Sequence, residues 1–135
     1  MTISRIAALL LLLTLPVGAQ EEKKTAIDVV QAELSICIAY YTFVRGCAME
    51  KSEINSATAA ISNVDKLRKY AYQAGQAVNM SAEAMLSRLK VAIEQQQKLL
   101  EGNCDNMPKL DEAYGARCKQ LSDDPQTILD QYLKK

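Results

Sequence analysis

Cys37 and Cys47 stand ten residues apart inside an unbroken helical repeat, and that placement forbids them from bonding to each other. Ile27, Val30, Leu34, Cys37, Tyr41, Val44 and Ala48 recur at alternating three- and four-residue steps, which is one face of an α-helix. A helix rises 1.5 Å per residue, so the two Cα atoms would lie ~15 Å apart, against the ~4.4–6.8 Å of a disulfide. Both thiols must then look to Cys104 and Cys118, which flank or lie on the last long helical segment. If that segment runs antiparallel to the first, Cys37 meets Cys118 and Cys47 meets Cys104. The stretch from Pro108 to Cys118 covers the same ~15 Å. The crossed pairing, Cys37–Cys104 with Cys47–Cys118, needs parallel helices. The antiparallel ladder is the expected arrangement.

Disulfides require an oxidising compartment, and the first residues have the layout of an export leader. Arg5 supplies a positive start, Ile6 to Leu15 form a short apolar run, and Pro16 breaks it. Val17-Gly18-Ala19 then places small residues where a signal peptidase cuts, which predicts cleavage between Ala19 and Gln20. The apolar run is shorter than the ~20 residues of a membrane span, so no stable membrane anchor is expected after cleavage. Residues 1–19 thus read as a cleavable signal peptide and residues 20–135 as a single helical domain, periplasmic or secreted.

The chain carries 16 basic and 16 acidic side chains and no histidine; removing Arg5 leaves a net charge near −1. That balance gives no electrostatic footprint for nucleic acid or for anionic membrane. Few glycines and prolines, many alanines, and the near absence of alternating β-branched runs predict an all-α fold. The expected architecture is a small disulfide-stapled bundle of about four main helices plus a short C-terminal helix.

Thr25 reads as the N-cap of the first helix, with residues 20–24 frayed before it. A second apolar stripe, Val29, Ile36, Tyr40, Phe43 and Cys47, runs beside the first and is interrupted by Glu33. So wide a face predicts that this helix touches more than one neighbour. Ser52 or Asn55 is placed to cap a second helix whose inward positions include Ile54, Ile61, Val64 and Gly75. Ser81 reads as the N-cap of a third helix, with Met85, Leu86, Leu89, Ala92, Gln96 and Leu100 inward and Gly102 at its end. Pro108 suits the start of a fourth helix bearing Leu110, Tyr114, Cys118 and Leu121. Ser122-Asp123-Asp124-Pro125 repeats this cap-then-proline pattern and opens a short terminal helix with Ile128, Leu129, Tyr132 and Leu133.

The Cys37-x9-Cys47 spacing resembles that of twin-cysteine helical hairpins of the mitochondrial intermembrane space, as shared geometry rather than kinship. The mature chain as a whole resembles small exported helical proteins of Proteobacteria whose first helix carries a cysteine–Tyr-Tyr–cysteine pattern, here Cys37-Ile-Ala-Tyr-Tyr-Thr-Phe-Val-Arg-Gly-Cys47. The resemblance implies export and a helical fold and brings no activity with it.

Catalysis needs a poised acid, base, nucleophile or metal. The missing histidines remove the commonest general base and metal ligand. The cysteine spacing is too wide for structural zinc, and no Cys-x-x-Cys redox motif is present. Adjacent carboxylates such as Asp111-Glu112 and Asp123-Asp124 sit where helix N-termini favour negative charge. No enzyme, metal or cofactor is therefore expected. The leading expectation is a protein-interaction module whose partner is another protein of the envelope or exterior. The alternative is a carrier of a small apolar or aromatic ligand, in a pocket formed by Tyr40, Tyr41, Phe43 and Tyr114 between helices. N-terminal sequencing of the exported protein is expected to begin at Gln20; a first residue at Met1 would remove the leader reading.

Overall fold

The structure is a computed structural model that describes residues 16–135. Arg5 and the apolar run 6–15 of the expected leader lie outside the described residues. The first helix, α1 (Val17–Glu50), is 34 residues long and the spine of the molecule. It is followed by α2 (Ile54–Ala77), α3 (Ala82–Leu100), a 3-10 turn (Cys104–Asn106), α4 (Met107–Leu110), a π-helical turn (Asp111–Gly115), α5 (Ala116–Asp123) and α6 (Pro125–Leu133). The fold is all-α, a disulfide-stapled bundle.

Side-chain pairings give the directions of the helices. Arg88 of α3 reaches Asp28 and Gln31, and Gln96 Nε2 donates to the Ile36 carbonyl, so α3 runs parallel to α1. The fourth segment runs the other way. Cys104 bonds Cys47 with Cα atoms 5.4 Å apart, Tyr40 meets Asp111, and Cys118 bonds Cys37 with Cα atoms 5.1 Å apart. The antiparallel ladder is thus the one the molecule contains. α1 contacts α2, α3, α5 and α6, which accounts for its two apolar stripes: a helix surrounded on most sides buries most of its circumference.

The core is built from Leu34, Ile38 and Cys37 of α1, Leu67 of α2, Leu110 and Leu121 of the fourth segment, and Ile128 of α6. Cys37–Cys118 lies inside it, whereas Cys104 at the outer rung is half-buried. Gly75 of α2 packs directly under the Met85 sulfur of α3, so the missing Cβ lets that side chain settle on the backbone.

Several local expectations are corrected. α1 begins at Val17 and passes through Thr25, whose Oγ1 donates to the Glu21 carbonyl at 2.9 Å and caps nothing. Glu21 to Lys24 are good helix formers, and a threonine hydroxyl satisfied by the i−4 carbonyl leaves the backbone helical. Neither Ser52 nor Asn55 caps α2. The chain reverses with Ser52 at φ 58° and Glu53 N–H bonded to the Ala48 carbonyl at 2.8 Å. Ile54, Ile61 and Leu86 face solvent, since neighbouring elements reach only the other sides of α2 and α3. α3 ends at Glu101 and Gly102, both left-handed, and Asn106 Nδ2 donates to the freed Leu100 carbonyl. Pro108 is the second residue of α4, and the fourth helix widens into a π turn. Ser81 does cap α3, accepting from the Ala84 N–H at 3.1 Å, and Asp124 caps α6 through the Thr127 N–H.

Replacing Cys37 and Cys118 by serine is expected to cost roughly 3.5 kcal/mol in the chain-entropy model, because with Cys47–Cys104 intact their bridge closes only the ~24 residues between the two rungs. Urea unfolding measures it. A loss under ~1 kcal/mol would mean that packing alone supports the ladder.

Candidate functional site

A mainly apolar depression lies where α6 crosses the lower half of the bundle. Ile27, Val30 and Leu34 of α1 share one helical face and form its floor. Tyr70, Gln73, Ala74 and Ala77 of α2 make one wall, and Pro125, Gln126 and Leu129 of α6 make the other. The groove has a volume of about 330 Å³ and opens to solvent. Small side chains create it: Ala74 and Ala77 stand where larger residues would fill the gap between α2 and α6. Gln73 and Gln126 are exposed at its edge and offer amide donors and acceptors.

The position of α6 is set by a polar clamp. Arg117 of α5 donates from Nε to Glu33 Oε2 at 3.0 Å and from Nη2 to Glu33 Oε1 at 3.2 Å, a bidentate pair with α1. The Tyr132 hydroxyl of α6 donates to the same carboxylate, and the Arg117 guanidinium lies 5.9 Å from the Tyr132 ring centroid. One carboxylate thus ties three helices together, while Ile128 anchors α6 in the core. Donation to Glu33, followed by burial, raises the Tyr132 phenol above its ordinary value. The same carboxylate, as hydrogen-bond acceptor, raises the Arg117 guanidinium.

The four aromatics expected to line a pocket do not jointly do so. Tyr40 faces a separate depression of about 210 Å³ with Val44, Cys47, Ala48, Lys51, Met107 and Asp111. Its hydroxyl donates to Asp111 Oδ1 at 2.8 Å, and its ring meets Tyr41 edge-on, centroids 4.9 Å apart. Tyr41, Phe43 and Tyr114 are half-buried and pack against the core. Burial first, then the bond to Asp111, drives the Tyr40 phenol well above the usual tyrosine range; burial also raises Tyr41. These are structural phenols.

No protein-family model, curated protein or solved structure matches the chain. Among the described residues, no three acidic, histidine or cysteine side chains converge to hold a metal ion, and all four cysteines are consumed by bridges. The groove, apolar with amide edges, is suited to shape and hydrophobic recognition.

Sequence reasoning did not pick out the groove. Its α2 wall reads as ordinary helix, and its α6 wall depends on where a nine-residue helix lands. The clamp had one visible signal, Glu33 interrupting the second apolar stripe. Tyr132→Phe is expected to cost about 1 kcal/mol at neutral pH, the scale of one hydrogen bond. Its wild-type phenol is held neutral in the folded state, so its contribution is complete below pH ~10 and falls as pH rises beyond it. Urea midpoints between pH 8 and about 11.5 should decline less steeply in the variant than in the wild type; parallel declines would contradict the clamp.

Proposed function

We propose that the protein is an exported, non-catalytic interaction module, and that the groove between α1, α2 and α6 receives apolar side chains of a protein partner in the envelope or exterior. The observation that carries this reading is the groove itself, apolar on its floor and walls and amide-edged at its rim. Its two bridges suit an oxidising, exported environment. An interaction module needs a rigid surface more than a reactive group, and a ladder through the core supplies rigidity. The periplasmic or secreted location and the cut before Gln20 belong to the same proposal and rest on the leader layout in the sequence.

A volume of about 330 Å³ sits at the small end of the ~300–1,000 Å³ of ligand pockets. An open site of that size takes one or two side chains from a larger partner and leaves a free ligand partly in water. The second reading, a carrier for a small apolar molecule, draws on the same apolar lining.

One experiment separates the two. Photo-reactive side chains placed at Gln73 or Gln126 in the producing cell should yield a protein adduct of one discrete mass. The same group at exposed Lys109, at the other end of the bundle, should not. Ala74→Arg fills the groove and should abolish the adduct. Absence of an adduct from both rim positions, or an adduct that survives Ala74→Arg, overturns the module reading. A small molecule of constant mass retained in native mass spectrometry and lost in Ala74→Arg would put the carrier in its place.

A further inference from the structure

The face of α2 that looks away from the bundle has a pattern of its own. Ile54, Thr58, Ile61, Asp65, Arg68 and Tyr72 follow one another at steps of four, three, four, three and four residues. That is the seam repeat of a two-stranded coiled coil. All six are exposed: Ile54 by 68%, Ile61 by 41% and Tyr72 by 56% among the large apolar ones. Neither Asp65 nor Arg68 takes part in an ion pair among the described residues. The inward positions of the same helix, Ala57, Ala60, Val64, Leu67, Ala71 and Gly75, form a different stripe. The helix therefore carries two seams, of which the bundle uses one.

We infer that this second seam pairs, antiparallel, with the same seam of a second copy of the chain. The argument is self-complementarity. When two copies of α2 lie antiparallel with Asp65 opposite Arg68 of the second copy, the same register sets Ile61 opposite Tyr72 of the second copy. By symmetry Arg68 and Tyr72 then meet Asp65 and Ile61. Four rungs arise from two kinds of pair, two ionic in the middle and two apolar outside, as an isologous two-fold contact requires. A parallel pairing would set Asp65 against Asp65 and Arg68 against Arg68, so the charges select direction and register at once. An unrelated partner would have no reason to match the internal symmetry of this one face.

The paired stretch of each α2, Ile61 to Tyr72, is ~17 Å long, with Ile54 and Thr58 outside the four rungs, so the contact lies well below ~1,200 Å². The dimer is accordingly weak and salt-sensitive. The seam uses none of Tyr70, Gln73, Ala74 or Ala77, so the groove stays open in the dimer and the two proposals stand or fall separately.

The test is sedimentation velocity of the oxidised protein at low salt, up to about 1 mM. The wild type should shift from monomer to dimer with concentration. Asp65→Arg alone and Arg68→Asp alone should each weaken self-association about tenfold or more, because each sets like charges on both central rungs. Mixed one to one, the two variants should associate with each other as tightly as the wild type does with itself. A wild type that stays monomeric throughout overturns the inference. So does a dimer indifferent to both substitutions, or a mixture no more associated than its components.

Discussion

The 1.5 Å rise of α1 separates Cys37 from Cys47 by about 15 Å, and each must therefore find its partner on another helix. That constraint sets the rest of the molecule. The fourth segment is pinned antiparallel to α1 at two points, 5.1 and 5.4 Å between Cα atoms. With that segment in place, Leu110 and Leu121 are delivered to the core, Arg117 comes within reach of Glu33, and α6 is carried to the lower half of α1. The groove beneath α6 is thus a distant consequence of helix geometry at the cysteines.

A second consequence concerns the division of labour between apolar and polar contacts. The core residues supply burial without direction, at roughly 25 cal/mol per Å² of apolar surface removed from water. The polar pairs supply registry. Arg88 on Asp28 and Gln31, Gln96 on the Ile36 carbonyl, Tyr40 on Asp111 and Arg117 on Glu33 each link α1 to a different point on its neighbours. Lys66 and Asn63 do the same between α2 and the Ser122 end of α5. These pairs are partly buried, each worth about 1 kcal/mol, and a helix slid by one turn would lose them all.

Much of this was legible in the chain. Periodicity located the helices, helix rise excluded the local cysteine pair, and the Ser81 and Asp124 caps sat where short polar side chains precede apolar repeats. The failures have physical reasons. Thr25 has the right residue type for a cap, yet its hydroxyl is equally content bonding back within a helix. Ile54 and Ile61 keep the apolar rhythm of α2 but belong to its second seam, and periodicity cannot say which of two apolar faces is buried. The π turn at Asp111–Gly115 has no sequence signature, and the groove depends on the absence of bulk at Ala74 and Ala77, which no local pattern announces. Tyr40, Tyr41, Phe43 and Tyr114 attracted attention because aromatics dominate both pockets and cores, and here the core claimed them.

The ladder also sets a problem of timing. A chain made from its N-terminus presents Cys37 and Cys47 first, long before Cys104 and Cys118 exist, so the first two thiols available to an oxidant are the two that must never join. Wherever α1 is already wound, a step that takes about a microsecond against seconds or longer for thiol oxidation, that wrong pair lies out of bonding reach. Once wound, the helix holds the pair beyond bonding distance until the distal cysteines arrive. The helix that serves as the spine of the finished molecule is, during its making, the guard against its most accessible mistake.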